Sequence, residues 1–341
     1  MNKQSYTVGC DPEVFLTRDG GFIGSERVVP DLKGLVVRDG FQVEFNPPAS
    51  MSSSILGSWL SQAFIRLDSL VKAHEGVGIS LDQVIKVDPN EMSQLSERSR
   101  ILGSDPSFNV YGTKPILVDG ESYPFRSAAG HLHFGLKNDL FDERVRLISW
   151  FDVFVGNTSV LIDRNPLAVQ RRENYGRAGE YRIPNHGIEY RTPSNFWLRN
   201  YTLLDFVLNL ADIAIQVVID GINGGDLESR LIDVVDIAKV AKAIDTNNLD
   251  LAWENYKDVA KLGVFGRWST LNLTMFFENV EKNGLESFFP EDPVTSWIRG
   301  KQMSFATFNK MSGSKFKVFK PSIQRYSNAD SRFSSEGPNG V

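Results

Sequence analysis

The sequence predicts an α+β fold with an antiparallel sheet and helices gathered on its other face. Three observations lead there. Short strand-like runs broken by turn signals fill residues 6–48 and return over 130–192. One stripe of helical spacing interrupts them at 53–75, and from about 199 to 298 the chain reads as mainly helical. A single domain is expected over 1–311, β-rich to 198 and mainly helical from 199. The stretch 312–341, rich in Ser, Asn, Gly and Lys, is expected to be an extended or disordered tail.

In chain order, YTVGCDPEVFL reads as a strand, RDGG as a turn and DGFQVEF as a second strand. Ile55, Leu56, Trp59, Leu60, Phe64, Leu67 and Val71 form the helical stripe, with Ser52 or Ser53 as its N-cap. Residues 80–125 are rich in turns and read as strands and loops laid over a site. GHLHFGL (130–136) is a strand, 143–157 an apolar helix, and 168–180 a glycine- and arginine-rich loop. Two strands follow at 180–183 and 187–192.

With 341 residues and 41% hydrophobic content, the chain can bury a large core. A formal charge of −5 gives no general attraction to nucleic acid or to an anionic membrane. No membrane span is expected, and MNKQSYTVGCDPEVF does not read as a signal peptide. One cysteine, Cys10, allows no internal disulfide and suits a reducing cytoplasm. Cys10 itself reads as a small core residue.

Strand periodicity sorts the polar residues. Phe41, Val43 and Phe45 oppose Gln42, Glu44 and Asn46; Leu132, Phe134 and Leu136 oppose His131 and His133. Ile188 and Tyr190 oppose Glu189 and Arg191, and Tyr181 and Ile183 oppose Glu180 and Arg182. Asp11 and Glu13 share a face if their strand is regular. A sheet with one wet face is the ordinary explanation for any one of these strands. Together, however, the polar faces collect carboxylates, arginines and two of the four histidines. Carboxylates suit Mg²⁺, which takes about six oxygen-type ligands at about 2.0–2.1 Å. Imidazole joins more readily for Mn²⁺, and arginine clamps phosphate or carboxylate.

In this order the motifs resemble the carboxylate–amine ligase superfamily of glutamine synthetase and the glutamate–cysteine ligases, and within it the phage-type COOH–NH2 ligase (amidoligase) family. The resemblance covers roughly residues 7–200. It implies a glutamine-synthetase-like cup of antiparallel sheet with helices outside. GCDPEVFL is similar to the first metal strand, implying Asp11 and Glu13 as ligands, and FQVEFNPP to the second, implying Glu44. GHLHFGL implies His131 as a metal ligand and His133 near the nucleotide phosphates or an acyl phosphate. GRAGEYRIP implies phosphate or substrate roles for Arg177 and Arg182; GIEYRTP implies Glu189 as a metal ligand and Arg191 as a phosphate clamp. Glutamine synthetase carries a further acid upstream of its second-strand glutamate. Val36 and Val37 lie in that region here and Asp39 lies closer to Glu44, so the metal set is smaller or completed elsewhere.

The implied activity is ATP- and Mg²⁺- (or Mn²⁺-) dependent amide formation, peptide or isopeptide, through an acyl phosphate. The implied partners are a small-molecule or peptide carboxylate and an amine, with nucleic acid entering only as a modified-base substrate. The implied location is the cytoplasm, of the host cell if phage-encoded. Oligomeric state stays open, a homo-oligomer included. Alternatives are an ATP-dependent kinase or phosphotransferase on the same kind of cup, a zinc hydrolase built on His131 and His133, and a non-catalytic phage structural or interaction protein with the same fold. Elsewhere, Arg171 and Arg172 read as solvated loop charges, His186 as an exposed turn residue, and GSDPSFNVYG (103–112) as a turn cluster or substrate loop. Lys33, beside Gly34, is a weaker phosphate candidate.

Overall fold

Pro12 divides the first extended segment into β1 (Tyr6–Cys10) and β2 (Glu13–Arg18), where the sequence suggested one strand. Proline donates no ladder hydrogen bond and restricts the residue before it, so pairing stops at Asp11 and resumes elsewhere. The computed structural model describes residues 6–102, 107–114, 119–120, 122–265 and 270–299. The reading of 312–341 as a tail falls outside them.

The other strands are β3 (Gly21–Ile23), β4 (Val36–Asp39), β5 (Gln42–Phe45), β6 (Val77–Ser80), β7 (Val84–Lys86), β8 (Phe108–Asn109), β9 (Phe125–Ser127), β10 (Leu132–Leu136), β11 (Glu180–Arg182) and β12 (Gly187–Tyr190). The first sheet has the order β1-β10-β12-β11-β8. The second runs β3-β2-β5-β4, with β6 also pairing β2, and β7 pairs β9 alone. All these pairings are antiparallel, and the sheets curl into a half-barrel. Backbone bonds join the sheets where the chain crosses: Glu13 N to Ala129 O at 2.9 Å, and Phe45 N to Pro12 O at 2.9 Å.

Helix α1 (Ser53–Lys72) begins at Ser52, whose hydroxyl accepts from Ile55 N at 3.3 Å. Leu56, Leu60, Phe64, Leu67 and Val71 are buried, but Ile55 and Trp59 are 42% and 41% exposed. The apolar arc is therefore wider than the face that meets the sheet. Within 80–125 lie two short helices that the turn signals hid, α2 (Pro89–Ser93) and α3 (Glu97–Arg100). Ile85, Val87, Met92 and Leu95 from this region pack on Phe15 and Phe41 of the second sheet.

The apolar stretch from 143 follows a short helix, α4 (Asp139–Asp142), and is realised as α5 (Arg146–Phe151), a π-turn at Asp152–Gly156, and α6 (Asn157–Ile162). Residues 168–180 differ from expectation: the first half is helix α7 (Ala168–Asn174), and only the glycine-bearing second half is a loop. Beyond Tyr201 the described chain is helical, as α8 (Tyr201–Ile222), α9 (Leu227–Ile232), α10 (Ile237–Asp245), α11 (Leu249–Ala260), α12 (Thr270–Asn283) and α13 (Pro293–Arg299). By length and composition α8 could cross a membrane, which the sequence reading did not anticipate. Its most apolar window is 67% buried inside the protein, where it forms the central core helix.

Candidate metal and anion site

Strand register aligns the polar residues of the first sheet in two rows. Gly9 pairs with His133, His133 with Glu189, and Glu189 with Arg182. Two residues along each antiparallel ladder, the next row is Asp11, His131, Arg191 and Glu180. Arg191 N bonds Glu180 O at 3.0 Å, which fixes its end. The residues between the rows, Cys10, Leu132 and Tyr190, are buried in the core. Gly9 leaves room beside His133, since a Cβ there would lie 3.4 Å from the His133 Cβ.

The second sheet supplies the remaining acids. Glu13 pairs with Glu44 and Glu44 with Val37, while Asp39 pairs with Gln42. Asp39 thus stands diagonally across from Glu44 on the same face. One oxygen each of Glu13, Asp39 and Glu44 lie within 4.8 Å of one another, and so do ligand atoms of Asp11, His133 and Glu189. Asp39 was missed as a ligand candidate. The Asp39–Gly40–Phe41–Gln42 hairpin could have revealed it, because a two-residue connection places Asp39 opposite Gln42 and so on the face of Glu44.

Asp11, Glu13, Arg38, Asp39, Glu44, His131 and Arg182 line one cavity of ≈ 200 Å³. His131 Nδ1 lies 3.1 Å from Asp11 Oδ1 and 3.3 Å from Glu189 Oε1; His133 Nε2 lies 3.1 Å from Asp11 Oδ2. Yet Asp11 Oδ1, His131 Nδ1, His133 Nε2 and Glu189 Oε1 are buried atoms without a hydrogen bond of proper geometry. Buried polar atoms are normally satisfied. Carboxylate and imidazole atoms that meet at ion-pair distance without aligned hydrogen bonds, at the ends of β1 and β10 and on β10 and β12, are a donor set that fits a divalent cation.

The electrostatics agree with crowded acids in a dry place. Burial, with Asp11 and Asp39 adding like charge, pushes the Glu44 carboxyl up to about 8. Burial and Asp39 likewise raise Glu13, against the hydrogen bond it accepts from Ala129 N at 2.7 Å. Burial alone would raise Asp11, but His131 and His133 outweigh it and hold Asp11 well below the usual carboxylate range. For His133 the burial cost is overcome by Asp11, Glu189 and Glu44, and its pKa rises. For His131 burial wins, with Arg191 adding to it, and its pKa falls.

Behind the donors stands a layer that sequence spacing did not show. The Tyr175 hydroxyl sits against His131 Nε2 and accepts from Arg191 Nη2 at 3.1 Å. Arg171 and Arg191 each place a guanidinium carbon 5.2 Å from the Tyr175 ring centre. Arg191 is fully buried and donates to Ser107 Oγ at 2.7 Å, while its Nε lies 3.1 Å from Glu189 Oε1. It therefore braces Glu189 and Tyr175 from behind. Ser107 belongs to the GSDPSFNVYG segment, of which 103–106 lie outside the described residues.

Arg182 lines the cavity, whereas Arg177 does not. Arg177 Nε donates to Arg172 O at 3.0 Å, and its charge acts on Asp245. Arg171 and Arg172 are buried rather than solvated. Their guanidinium groups donate to the Thr192 and Pro193 carbonyls, which α7 brings within 2.6–2.9 Å. His186 is exposed, as expected, but its ring centre lies 5.8 Å from that of His133 at the rim. Lys33 is exposed and is not a lining residue of this cavity.

Asp152, in the π-turn, braces the first sheet from its core side. It accepts from Tyr190 Oη at 2.6 Å and Tyr111 Oη at 2.8 Å. Burial lifts its carboxyl to about 7 against those hydrogen bonds.

Fold and site together define an antiparallel half-barrel that gathers six carboxylate or imidazole donors in two clusters, with arginines beside them. The family model described as Phage phiEco32-like COOH.NH2 ligase-type 2 matches residues 113–233. That span contains His131, His133, Glu189 and Arg191 and supports the amidoligase family which the motifs resemble. No curated protein matches the chain.

Proposed function

We infer that the protein is an ATP- and divalent-cation-dependent carboxylate–amine ligase working through an acyl phosphate. The observation that carries this reading is the convergence of buried carboxylate and imidazole atoms without aligned hydrogen bonds beside Arg182. The name of the matched family supports carboxylate–amine ligation in general.

Asp11, His133 and Glu189, with His131 beside them, would hold one cation; Glu13, Asp39 and Glu44 would hold a second. Bound there, Mg²⁺ or Mn²⁺ supplies Lewis-acid neutralisation of phosphate oxygens. The chain's own residues do the rest. Arg182 sets positive charge at the cavity wall, where a transferring phosphoryl group gathers negative charge. Arg191 and Tyr175 keep Glu189 and His131 in place. The substrate carboxylate attacks the γ-phosphorus of ATP and ADP leaves; the amine then attacks the acyl carbon, phosphate leaves, and the ammonium proton passes to a base.

The test incubates the full chain with ATP, Mg²⁺ and pools of carboxylates and amines, and follows ADP and amide products by mass spectrometry. Amide formation that needs both pools, and falls about 10²–10³-fold in Arg182→Ala, is the expected outcome. ADP with a stable phosphorylated product and no amine requirement would assign a kinase instead. Failure to bind nucleotide, with Glu44→Ala behaving as wild type, would remove the ATP-dependent reading.

A further inference from the structure

A second cavity, of ≈ 460 Å³, lies outside the acidic cup, between the end of β6, the residues after α6 and the 3-10 turn Asn195–Arg199. Its volume lies within the range of small-molecule sites. Asn195 lines it and is fully buried. The amide orientation is fixed because Nδ2 donates to the Glu13 carbonyl at 2.7 Å, and a carbonyl can only accept. Asn195 Oδ1 is therefore the acceptor left over, and it has no hydrogen bond. A buried amide oxygen without a donor is costly unless something fills the space before it.

Arg199 provides the converse. Its Nη2 donates to the Phe289 carbonyl at 3.0 Å, while its Nε, also buried, has no hydrogen bond. Both residues line the cavity, so its wall holds one unmatched acceptor and one unmatched donor, each a buried atom. Its charge is unbalanced too. Asp82, Asp163, Glu286 and Asp292 line it against only Arg164 and Arg199. Asp163 is occupied, accepting from Ser194 Oγ at 2.6 Å and Asn165 N at 3.3 Å. The other three acids are exposed at the rim, where Asp82 accepts from Ser80 Oγ at 2.6 Å and Asp292 from Thr295 N at 2.8 Å.

We propose that this cavity is a binding site for a small cationic amine that also carries an oxygen acceptor, of which a diamino acid is the simplest example. The ammonium group meets Asn195 Oδ1 and the acidic rim, and the carboxylate meets Arg199 Nε. Because Asn195 also holds the Glu13 carbonyl, the ligand sits one hydrogen bond behind a strand of the acidic cup. The site is independent of what the cup catalyses.

Isothermal titration calorimetry of the full chain, metal-free and without nucleotide, tests it with L-lysine and L-glutamate as probes. L-lysine should bind, with L-glutamate about tenfold weaker or undetectable, since each mismatched charged contact is worth about that much. Glu286→Gln and Arg199→Gln should each weaken L-lysine about tenfold. Glu286 is exposed, so that variant keeps the fold. Glu44→Gln should leave L-lysine binding unchanged. No binding of L-lysine, equal binding of the two probes, or indifference to both Glu286→Gln and Arg199→Gln would overturn the proposal. Loss of L-lysine binding in Glu44→Gln would overturn it as well, placing the amine in the cup. Failure of ATP or metal binding with L-lysine binding intact touches only the ligase reading.

Discussion

Tyr175 sits against the His131 nitrogen that faces away from Asp11 and Glu189. His131 Nδ1 points at Asp11 and Glu189, and Nε2 faces the Tyr175 hydroxyl. Nε2 also lies 3.5 Å from Arg191 Nε, which can only donate, so among the described residues Tyr175 Oη is the one neighbour that could take an Nε2–H and leave the Nδ1 lone pair for metal. Outer partners of this kind are worth about 10–100-fold in metal affinity. Tyr175→Phe should therefore weaken Mn²⁺ binding by that factor in calorimetry. The ring, and so its packing between Arg171 and Arg191, survives the change. Unaltered Mn²⁺ affinity would mean that the tautomer is set without Tyr175. Nothing in the local sequence pattern marks this residue: it ends a helix that reads as an arginine-rich loop, and its partners are 16 and 44 positions away.

Elements meet at Gly130. Its N donates to the Pro193 carbonyl at 3.1 Å, and a Cβ would fall 2.0 Å from the Ser194 carbonyl oxygen. Only glycine lets the residue before His131 press against the segment leaving β12. Gly130→Ala must separate the two, so a loss of about 1–3 kcal/mol is expected in urea denaturation, the cost of overpacking. Mn²⁺ affinity should fall with it, because His131 moves with its neighbour. On the opposite side, Asp152→Ala leaves the buried Tyr190 hydroxyl and the part-buried Tyr111 hydroxyl short of an acceptor and should cost about 2–4 kcal/mol. If Asp152→Ala unfolds at the wild-type urea midpoint, the π-turn is not a brace. The faces of β5 and β10 were legible in the sequence because each alternates cleanly between buried apolar and half-buried polar residues. Three features were harder to read. The break at Pro12 separates residues that regular alternation would put on one strand. Asp39 needed the hairpin register as well as the spacing. Arg171 and Arg172 carry charge, which reads as exposure, yet backbone carbonyls satisfy them in the interior.

At the scale of the whole molecule, the two sheets press acids together that would separate if the chain unfolded, and this has a defined pH signature. Glu44, at about 8, and Asp152, at about 7, are both raised by burial above their unfolded values near 4.5 and 3.8. Between those limits the native state holds protons that the unfolded chain has released, so stability falls as pH rises. Two groups oppose this on the acid side. The lowered Asp11 loses its contribution as pH falls below the carboxylate range, and the lowered His131 loses its own as pH falls below about 6.5. His133, raised, works in the same direction as Glu44. Metal-free protein should therefore melt highest in mild acid and lose Tm steadily toward about pH 8. A cation that binds the ionised acids competes with their protons, so its stabilisation grows over that same interval. Scanning fluorimetry across the range, with Mg²⁺ or EDTA, should show two melting curves that converge near pH 5 and diverge toward pH 8. Glu44→Gln removes one of the raised carboxyls of the cup. That variant should flatten the EDTA curve and shrink the divergence together. A metal-free Tm that climbs across this interval, or a Mg²⁺ increment independent of pH, would show that the crowded acids are not what couples this fold to protons.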